Sequence, residues 1–225
     1  MNIIAVEPIG IGKAKEEEIK KEFASLGHSF LMYYDRKEDE KTLIERMKDA
    51  DIAIISNIPL TKNVLKECKH LKILAVAFTG IDHIDQDFCK EKNIEIINAS
   101  GYATEGVSEL AIGLMIDVLR HISVLNEDIR QGKTRNNYLG FELRNKTVGI
   151  VGTGAIGTRT AFLLQNFGCK ILAYSRTKKQ ELIDKGLSYV DLKTLMKESD
   201  IISLHTPLTK QTFHLINKEM LNLCK

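Results

Sequence analysis

The stretch from Thr147 to Gly157 constrains the fold of this chain more than any other. It reads Thr-Val-Gly-Ile-Val-Gly-Thr-Gly-Ala-Ile-Gly, so a short apolar segment runs directly into a GxGxxG pattern. A helical pattern of apolar side chains follows and ends at Gly168. This order of strand, glycine turn and helix is typical of a dinucleotide-binding unit, in which phosphates meet the backbone N–H groups that begin the helix.

Each glycine of the pattern has a predicted role. Gly152 permits a tight turn, Gly154 leaves room for a pyrophosphate to approach the backbone, and Gly157 lets the helix pack closely on the strand. The alternative is a glycine turn that only packs a strand against a helix. The position of the motif between a buried strand and an amphipathic helix favours the dinucleotide site.

The residues after the next predicted strand, 170–174, bear on the type of nicotinamide cofactor. An NAD site usually has Asp or Glu at this strand tip, where it binds the ribose 2′-hydroxyl. This chain has Ser175, Arg176 and Thr177 instead, followed by two lysines. A guanidinium binds a 2′-phosphate well, and the two hydroxyl groups offer further donors. We therefore predict NADP(H) as the preferred cofactor. The alternative is an NAD(H) site that functions without the acidic residue.

The whole chain alternates apolar strand patterns with helical patterns. In the first part, strands are predicted at 3–6, 29–34, 51–56, 73–76 and 94–97. In the second part, they are predicted at 147–151, 170–174, 188–190 and 201–204. Strands separated by helices indicate parallel, doubly wound sheets. We predict an α/β protein with a flavodoxin-like domain at 1–99 and an incomplete Rossmann domain at 100–225.

A long apolar helix is predicted just after this boundary, with Thr104 in position to cap it. One face of the helix carries apolar side chains at Leu110, Leu114, Met115, Val118, Leu119, Ile122, Leu125 and Ile129. Such a face packs either between domains or between subunits, and the sequence does not decide between the two. We expect a homodimer.

Composition argues against several other classes of protein. The net charge is +2, with 32 basic and 30 acidic residues interspersed, so neither a nucleic-acid-binding nor a membrane-binding surface is indicated. No apolar segment has the length of a membrane span, and the start lacks a signal-peptide pattern. The four cysteines are widely spaced and form no metal-binding pattern. We expect free thiols, no metal and a cytoplasmic location.

Four stretches, taken in order, resemble one family, the D-isomer-specific 2-hydroxyacid dehydrogenases. They are Phe-Thr-Gly-Ile-Asp-His-Ile-Asp at 78–85, the segment 98–109 with Val-Ser-Glu at its end, the segment 140–157 containing the glycine turn, and His-Thr-Pro-Leu-Thr at 205–209 with its continuation to 217. The family transfers a hydride between a nicotinamide and a small 2-oxo or 2-hydroxy acid. The resemblance implies an oxidoreductase for glyoxylate-like or hydroxypyruvate-like acids, with 1–99 as the substrate domain and 100–225 as the cofactor domain.

The resemblance also implies roles for individual residues. Backbone amides of the family's glycine loop hold the substrate carboxylate, which places Thr79 and Gly80 at the substrate. The alternative is that Gly80 only turns the chain into a helix capped by Asp82 or Asp85. The implied cofactor residues are Ala155 and Ile156 at the pyrophosphate, Ser175 and Arg176 at the adenosine ribose, and His205, Thr206, Pro207 and Thr212 along the cleft.

The family's three catalytic residues are an Arg, a Glu and a His from segments beyond Lys225, so the resemblance assigns none of them here. His83 and His205 lie near the predicted sites, but neither has a carboxylate partner at readable spacing, and we expect neither to be catalytic. We therefore expect little turnover from these 225 residues. Two alternatives remain: a non-catalytic nucleotide-binding or dimerising protein, and a fragment of a full-length enzyme. The apolar helical pattern that ends the sequence favours the fragment.

Overall fold

The computed structural model describes residues 1–134 and 138–225. These residues form two compact units, Met1–Tyr102 and Ala103–Lys225. Each unit is built around one parallel sheet with helices between its strands. The α/β class and the two parallel sheets predicted from the sequence are confirmed. The division between the units falls at 102–103, next to the boundary expected at 99–100.

The first unit has a five-stranded sheet in the order β2-β1-β3-β4-β5. Its strands are β1 (Asn2–Ala5), β2 (Ser29–Met32), β3 (Ile52–Ile55), β4 (Ile73–Val76) and β5 (Glu95–Asn98). Its helices are α1 (Lys13–Ser25), α2 (Glu40–Met47), α3 (Lys62–Leu65) and α4 (Gln86–Glu91). This is the flavodoxin-like order, and its switch point lies between β1 and β3, where ligands bind in open α/β sheets.

The core of the first unit explains why its central strands are apolar. Ile55 of β3 and Leu74 of β4 are fully buried, together with Leu43 and Met47 of α2. A parallel sheet covered by helices on both faces needs apolar side chains on both sides of its strands. The strand sequences Ile-Ala-Ile-Ile and Ile-Leu-Ala-Val meet that need.

The second unit has a four-stranded parallel sheet in the order β8-β7-β6-β9. Its strands are β6 (Thr147–Val151), β7 (Lys170–Tyr174), β8 (Ser188–Tyr189) and β9 (Ile201–Leu204). Its helices are α5 (Thr104–Arg120), α6 (Ile122–Arg130), α7 (Ala155–Asn166), α8 (Gln180–Asp184), α9 (Leu192–Glu198) and α10 (Lys218–Leu221). Val148 of β6 pairs with Ile171 of β7 on one side and with Ile201 of β9 on the other. This is the arrangement of the first four strands of the Rossmann order.

The prediction of a single long helix after Thr104 is wrong. The chain forms two helices, α5 and α6, because His121 between them adopts the left-handed conformation with φ 55°. Thr104 is the first residue of α5 and not its cap, since Ala103 occupies that position. The apolar residues before and after the break therefore do not share one helix face. Three apolar side chains of α5 are largely exposed: Leu110, Leu114 and Val118.

Three properties of the described residues bear on function. No helix within 1–134 and 138–225 is long and apolar enough to cross a membrane. In the same residues, no group of three or more His, Cys, Asp or Glu side chains is arranged to hold a metal ion. All four cysteines are free, and burial raises the pKa of the Cys68 and Cys89 thiols to about 11, which makes both unreactive near neutral pH.

Candidate functional site

The glycine turn joins β6 to α7, and its first glycine is required by both conformation and space. Gly152 has φ +99°, which side-chain-bearing residues rarely adopt. A Cβ atom built on Gly152 would lie 2.5 Å from the carbonyl oxygen of His205. The chain that leaves β9 thus packs directly against the turn that leaves β6.

The other two glycines of the motif differ from each other. A Cβ on Gly157 would lie 2.0 Å from the carbonyl oxygen of Gly152, so the first turn of α7 packs onto the glycine turn itself. A Cβ on Gly154 would meet no atom within 4 Å. Gly157 therefore serves packing, whereas Gly154 borders open space, as expected where a ligand approaches the backbone.

The start of α7 suits an anionic group. Gly154 is the residue that precedes this helix, and within the described part of the chain no side chain caps it. The first N–H groups of a helix have no partners inside the helix, and the helix dipole adds positive potential at this end. Helix α7 has 12 residues, so its dipole is well developed. A pyrophosphate fits this position.

A cavity of about 180 Å³ lies at the carboxyl edge of the second sheet. It is lined by eight of the residues predicted to bind cofactor: Gly152, Gly154, Ser175, Arg176, His205, Thr206, Pro207 and Thr212. Five further lining residues were not predicted: Thr153, Tyr174, Thr209, Gln211 and Leu215. Ala155, Ile156 and Gly157 form the first turn of α7, and neither they nor the exposed Thr177 line the cavity.

The wall of the cavity that follows β9 is held by hydrogen bonds between threonines. The Thr212 hydroxyl donates to the carbonyl oxygen of Pro207 at 2.5 Å and accepts from the backbone N–H of Thr209 at 2.8 Å. The backbone N–H of Thr212 in turn donates to the Thr209 hydroxyl at 3.2 Å. The hydrogen bonds of these two threonines thus hold the segment in shape, and Thr212 also lines the cavity itself.

The two histidines near the predicted sites are poor proton donors. Burial lowers the pKa of His205, and its Nε2 atom lies 2.9 Å from the Ser203 hydroxyl. Burial also lowers the pKa of His83, more than the nearby Asp82 and Glu7 carboxylates raise it. Both imidazoles are therefore neutral at neutral pH, which is unfavourable for protonating a carbonyl oxygen.

Arg176 stands two residues past the end of β7, at the edge of the cavity. Its Nη1 atom donates a hydrogen bond to the side-chain oxygen of Gln211 on the wall that follows β9. Among the residues that the structure describes, Arg176 forms no ion pair with a carboxylate. Its charge thus remains available to an anionic ligand.

The predicted substrate loop lies in the first unit, where Thr79 and Gly80 follow β4. The Asn98 side chain donates to the carbonyl oxygen of Thr79 at 2.7 Å, and Asp85 caps α4 by accepting from the N–H of Phe88 at 2.9 Å. The capping role considered for Asp85 is therefore real. It does not exclude a ligand, because the buried Oγ1 of Thr79 has no hydrogen-bond partner among the described residues.

A buried carboxylate after β1 was not predicted. Glu7 is 2% exposed, and its Oε1 atom accepts from the backbone N–H groups of Ser56, Asn57 and Ile58 at 2.7, 3.1 and 3.2 Å. Its Oε2 atom accepts from Arg36 at 2.7 Å. The N–H groups that follow β3 are thus occupied by a side chain of the protein. No local sequence pattern reports this contact, since its partners are far apart in the chain.

Two hydrogen bonds that brace the glycine turn were also not predicted. The hydroxyl of Thr153, which is 2% exposed, lies 2.8 Å from the phenol oxygen of Tyr189 on β8. The fully buried Ser108 of α5 donates to the carbonyl oxygen of Ile156 at 3.2 Å. The turn is therefore fixed from an edge strand and from a neighbouring helix.

Known proteins resemble this chain in sequence. The family profile of the D-isomer specific 2-hydroxyacid dehydrogenase, NAD binding domain, matches residues 112–225. A hydroxypyruvate reductase of Thermotoga maritima is 40% identical over 183 residues, which are 80% of this chain and 59% of that protein. A glyoxylate reductase of Thermococcus litoralis is 37% identical over 193 residues, which are 81% of this chain and 58% of that protein. The chain thus spans about 60% of the length of these relatives.

Solved structures resemble the chain over its whole length. An acyclic imino acid reductase in complex with NADPH and D-Arg matches with a TM-score of 0.88 and 30% identity, over 100% of this chain and 71% of that one. A D-lactate dehydrogenase from Aquifex aeolicus, complexed with NAD and lactic acid, matches with a TM-score of 0.86 and 29% identity, over 100% and 66%. Together with the glycine turn and the two parallel sheets, the profile match shows that the chain belongs to the D-isomer-specific 2-hydroxyacid dehydrogenase family.

Proposed function

We propose that this chain binds NADP(H) in preference to NAD(H) and contributes the cofactor site and part of the substrate site of a reductase for small 2-oxo acids. The observation that carries the proposal is the cavity beside the glycine turn. There the uncapped start of α7 and the guanidinium of Arg176 lie beside one space, and both favour the phosphate groups of a dinucleotide.

Different residues of the chain would bind different parts of the cofactor. The N–H groups of Ala155 and Ile156 bind the pyrophosphate, and Gly154 keeps the approach to them open. Ser175 and Arg176 bind the ribose with its 2′-phosphate, while His205 and Thr206 form the far wall. A bound NADPH supplies the hydride for the carbonyl carbon of the substrate.

The substrate in this proposal is a small 2-oxo acid such as glyoxylate or hydroxypyruvate. Two relatives of the chain are a hydroxypyruvate reductase and a glyoxylate reductase. The loop with Thr79 and Gly80 binds the substrate carboxylate, and the unpartnered Thr79 hydroxyl supports a polar ligand there. Residues 1–99 are then the substrate domain, and residues 100–225 the cofactor domain.

These 225 residues by themselves would reduce such acids slowly. The neutral His83 and His205 do not supply the proton that the product hydroxyl requires. In the family, that proton comes from a His in segments to which no residue here corresponds. Cofactor binding is therefore the property to measure first, and turnover is a secondary measurement.

We also propose that the protein is a cytoplasmic homodimer. Four free cysteines suit a reducing compartment, and the exposed Leu110, Leu114 and Val118 of α5 offer an apolar contact. Sedimentation velocity tests the dimer: we expect Leu114→Glu to dissociate it, and a monomeric unaltered chain would contradict it.

The central experiment is a fluorescence titration with NADPH and NADH on protein shown to be folded by circular dichroism. We expect tighter binding of NADPH, and Arg176→Ala should weaken it about tenfold to a hundredfold because a charge-assisted contact is lost. NADH binding should change little. Lys178→Ala, which removes a nearby charge, is the matched control and should leave both affinities unchanged. Equal affinities for the two cofactors would contradict the preference for NADP(H).

A further inference from the structure

Arg176 is held from across the cavity by a residue that no motif of the sequence singled out. Gln211 lies in the segment after β9, and its side-chain oxygen accepts the hydrogen bond from Nη1 of Arg176. Both residues line the same cavity. An arginine side chain has many rotamers, and fixing one of them before the ligand arrives lowers the entropy cost of binding.

The backbone that carries Gln211 is itself braced. Thr209 and Thr212, on either side of it, are joined by the hydrogen bonds described above, and the N–H of Phe213 donates to the carbonyl oxygen of Thr209 at 2.8 Å. Gln211 therefore stands on a turn that is tied at both ends. A contact from such a turn defines the position of the guanidinium better than a contact from a loose loop.

The chemistry of Gln211 also matters. Its amide oxygen accepts a hydrogen bond without adding negative charge, so Arg176 keeps its full positive charge. The bond uses one of the two Nη atoms, and the guanidinium has five N–H donors in total. The remaining donors can meet a phosphate. A carboxylate at the same position would hold Arg176 equally well but neutralise it.

We propose that Gln211 is a positioning residue that determines cofactor specificity, because it holds Arg176 where a 2′-phosphate binds while leaving its charge uncompensated. This inference rests on the proposed preference for NADP(H). It predicts that changes at Gln211 alter the ratio of NADPH to NADH affinity and not the affinity for both cofactors together.

The test measures dissociation constants of the whole chain for NADPH and NADH, and for the fragments 2′,5′-ADP and 5′-AMP, by isothermal titration calorimetry. Gln211→Ala should weaken NADPH and 2′,5′-ADP about fivefold, the effect of one hydrogen bond, and leave NADH and 5′-AMP within twofold. Gln211→Glu should weaken the two 2′-phosphate ligands more strongly, and the loss should shrink at high salt. Gln180→Glu makes the same charge change in α8 and should leave the ratio unaltered.

A double-mutant cycle separates action through Arg176 from a structural effect. In the Arg176→Ala background, Gln211→Ala should cause no further loss of NADPH affinity. If the unaltered chain prefers NADPH but neither Gln211 variant changes the ratio, the role of Gln211 is wrong and the cofactor preference stands. If the unaltered chain binds NADPH and NADH equally, the proposed preference fails and this inference fails with it.

Discussion

Backbone N–H groups follow β3 in the first unit and β6 in the second, and the two sets have different partners. After β3, three N–H groups donate to the Glu7 carboxylate, which Arg36 also contacts. After β6, the N–H groups at the start of α7 have no side-chain cap within the described residues, and Gly154 leaves open space beside them. The carboxyl edge of a parallel sheet therefore offers anion sites generally, and a buried side chain decides whether one is left for a ligand.

Because their partners differ, the two sets of N–H groups contribute to different properties of the protein. The Glu7 carboxylate satisfies donors inside the folded protein, so its hydrogen bonds add to the stability of the first unit. Donors that are left open add nothing until a ligand binds, and the ligand then stabilises the folded state in proportion to its concentration. The same backbone chemistry thus serves stability in one unit and binding in the other.

Removing the Glu7 carboxylate from the backbone N–H groups after β3 is expected to have the largest effect on stability. Glu7→Ala leaves three backbone N–H groups without their acceptor and removes one of the two carboxylates that pair with Arg36, so we expect the free energy of unfolding to fall by about 3 kcal/mol. Urea denaturation measures this loss. Glu38→Ala removes the exposed partner of Arg36 and should cost less than about 0.5 kcal/mol.

Adding formate to the solution tests whether the N–H groups after β3 can bind an anion once Glu7 is removed. Formate should raise the melting temperature of Glu7→Ala more than that of the unaltered chain, because it can take the place of the lost side chain. If formate shifts both proteins equally, the N–H groups after β3 do not form an anion site.

Two glycine variants are expected to separate packing from binding in the second unit. Gly157→Ala forces a Cβ against the carbonyl oxygen of Gly152, so stability should fall by about 2 kcal/mol and cofactor affinity by at least about tenfold. Gly154→Ala has space and should leave stability within about 0.5 kcal/mol while still weakening the cofactor. Thermal denaturation and fluorescence titration give the two quantities. Normal binding by Gly154→Ala would show that the open space does not receive the ligand.

A smaller effect is expected at the brace of the glycine turn. Tyr189→Phe removes the hydrogen bond to the Thr153 hydroxyl and should lower the free energy of unfolding by about 1 kcal/mol. Thr153→Val removes the other partner. The two losses should not add in the double variant, since both remove one bond. Full additivity would show that the two hydroxyl groups act independently.

The smallest effect is expected from pH. His83 in the first unit and His205 in the second have a pKa below the ordinary 6.5, so the unfolded chain binds protons that the folded chain does not. Stability is therefore greatest above pH 6.5 and decreases as the pH falls through this value toward the lower folded pKa values. Urea midpoints between pH 7.5 and pH 5.5 measure the slope. His205→Gln should make it shallower, and an unchanged slope would exclude His205 as a source.

The sequence predicted the bounds of four strands because an apolar strand pattern is a local signal. The strands at 73–76, 147–151, 170–174 and 201–204 were predicted with the bounds that the structure shows. Strand β2 ends at Met32, two residues earlier than predicted, because its only partner among the described strands, β1, ends at Ala5, which lies opposite Met32. The helix break at His121 was missed because apolar spacing continues through it and neither Gly nor Pro marks it.

The candidate site shows the same limit. Gly152, Gly154 and the start of α7 are contiguous, so a short motif was enough to predict how they lie together. The contacts of Gln211 with Arg176, and of Glu7 with the N–H groups after β3, join segments far apart in the chain. Such contacts depend on which strands are neighbours in the sheet, and a single sequence predicts the class of sheet but not these individual contacts.

The central place of β6 has a consequence for the order of assembly. Val148 pairs with Ile171 across β6-α7-β7, whereas its pairing with Ile201 closes more than twice as much chain. The longer closure costs about 0.6 kcal/mol more entropy per doubling of length, and contacts close in sequence form earlier in folding. We expect the glycine turn to be in place before β9 delivers His205 to it. The cavity would then be completed late in folding. In a refolding experiment, the onset of ligand binding would report when the segment after β9 packs against the glycine turn.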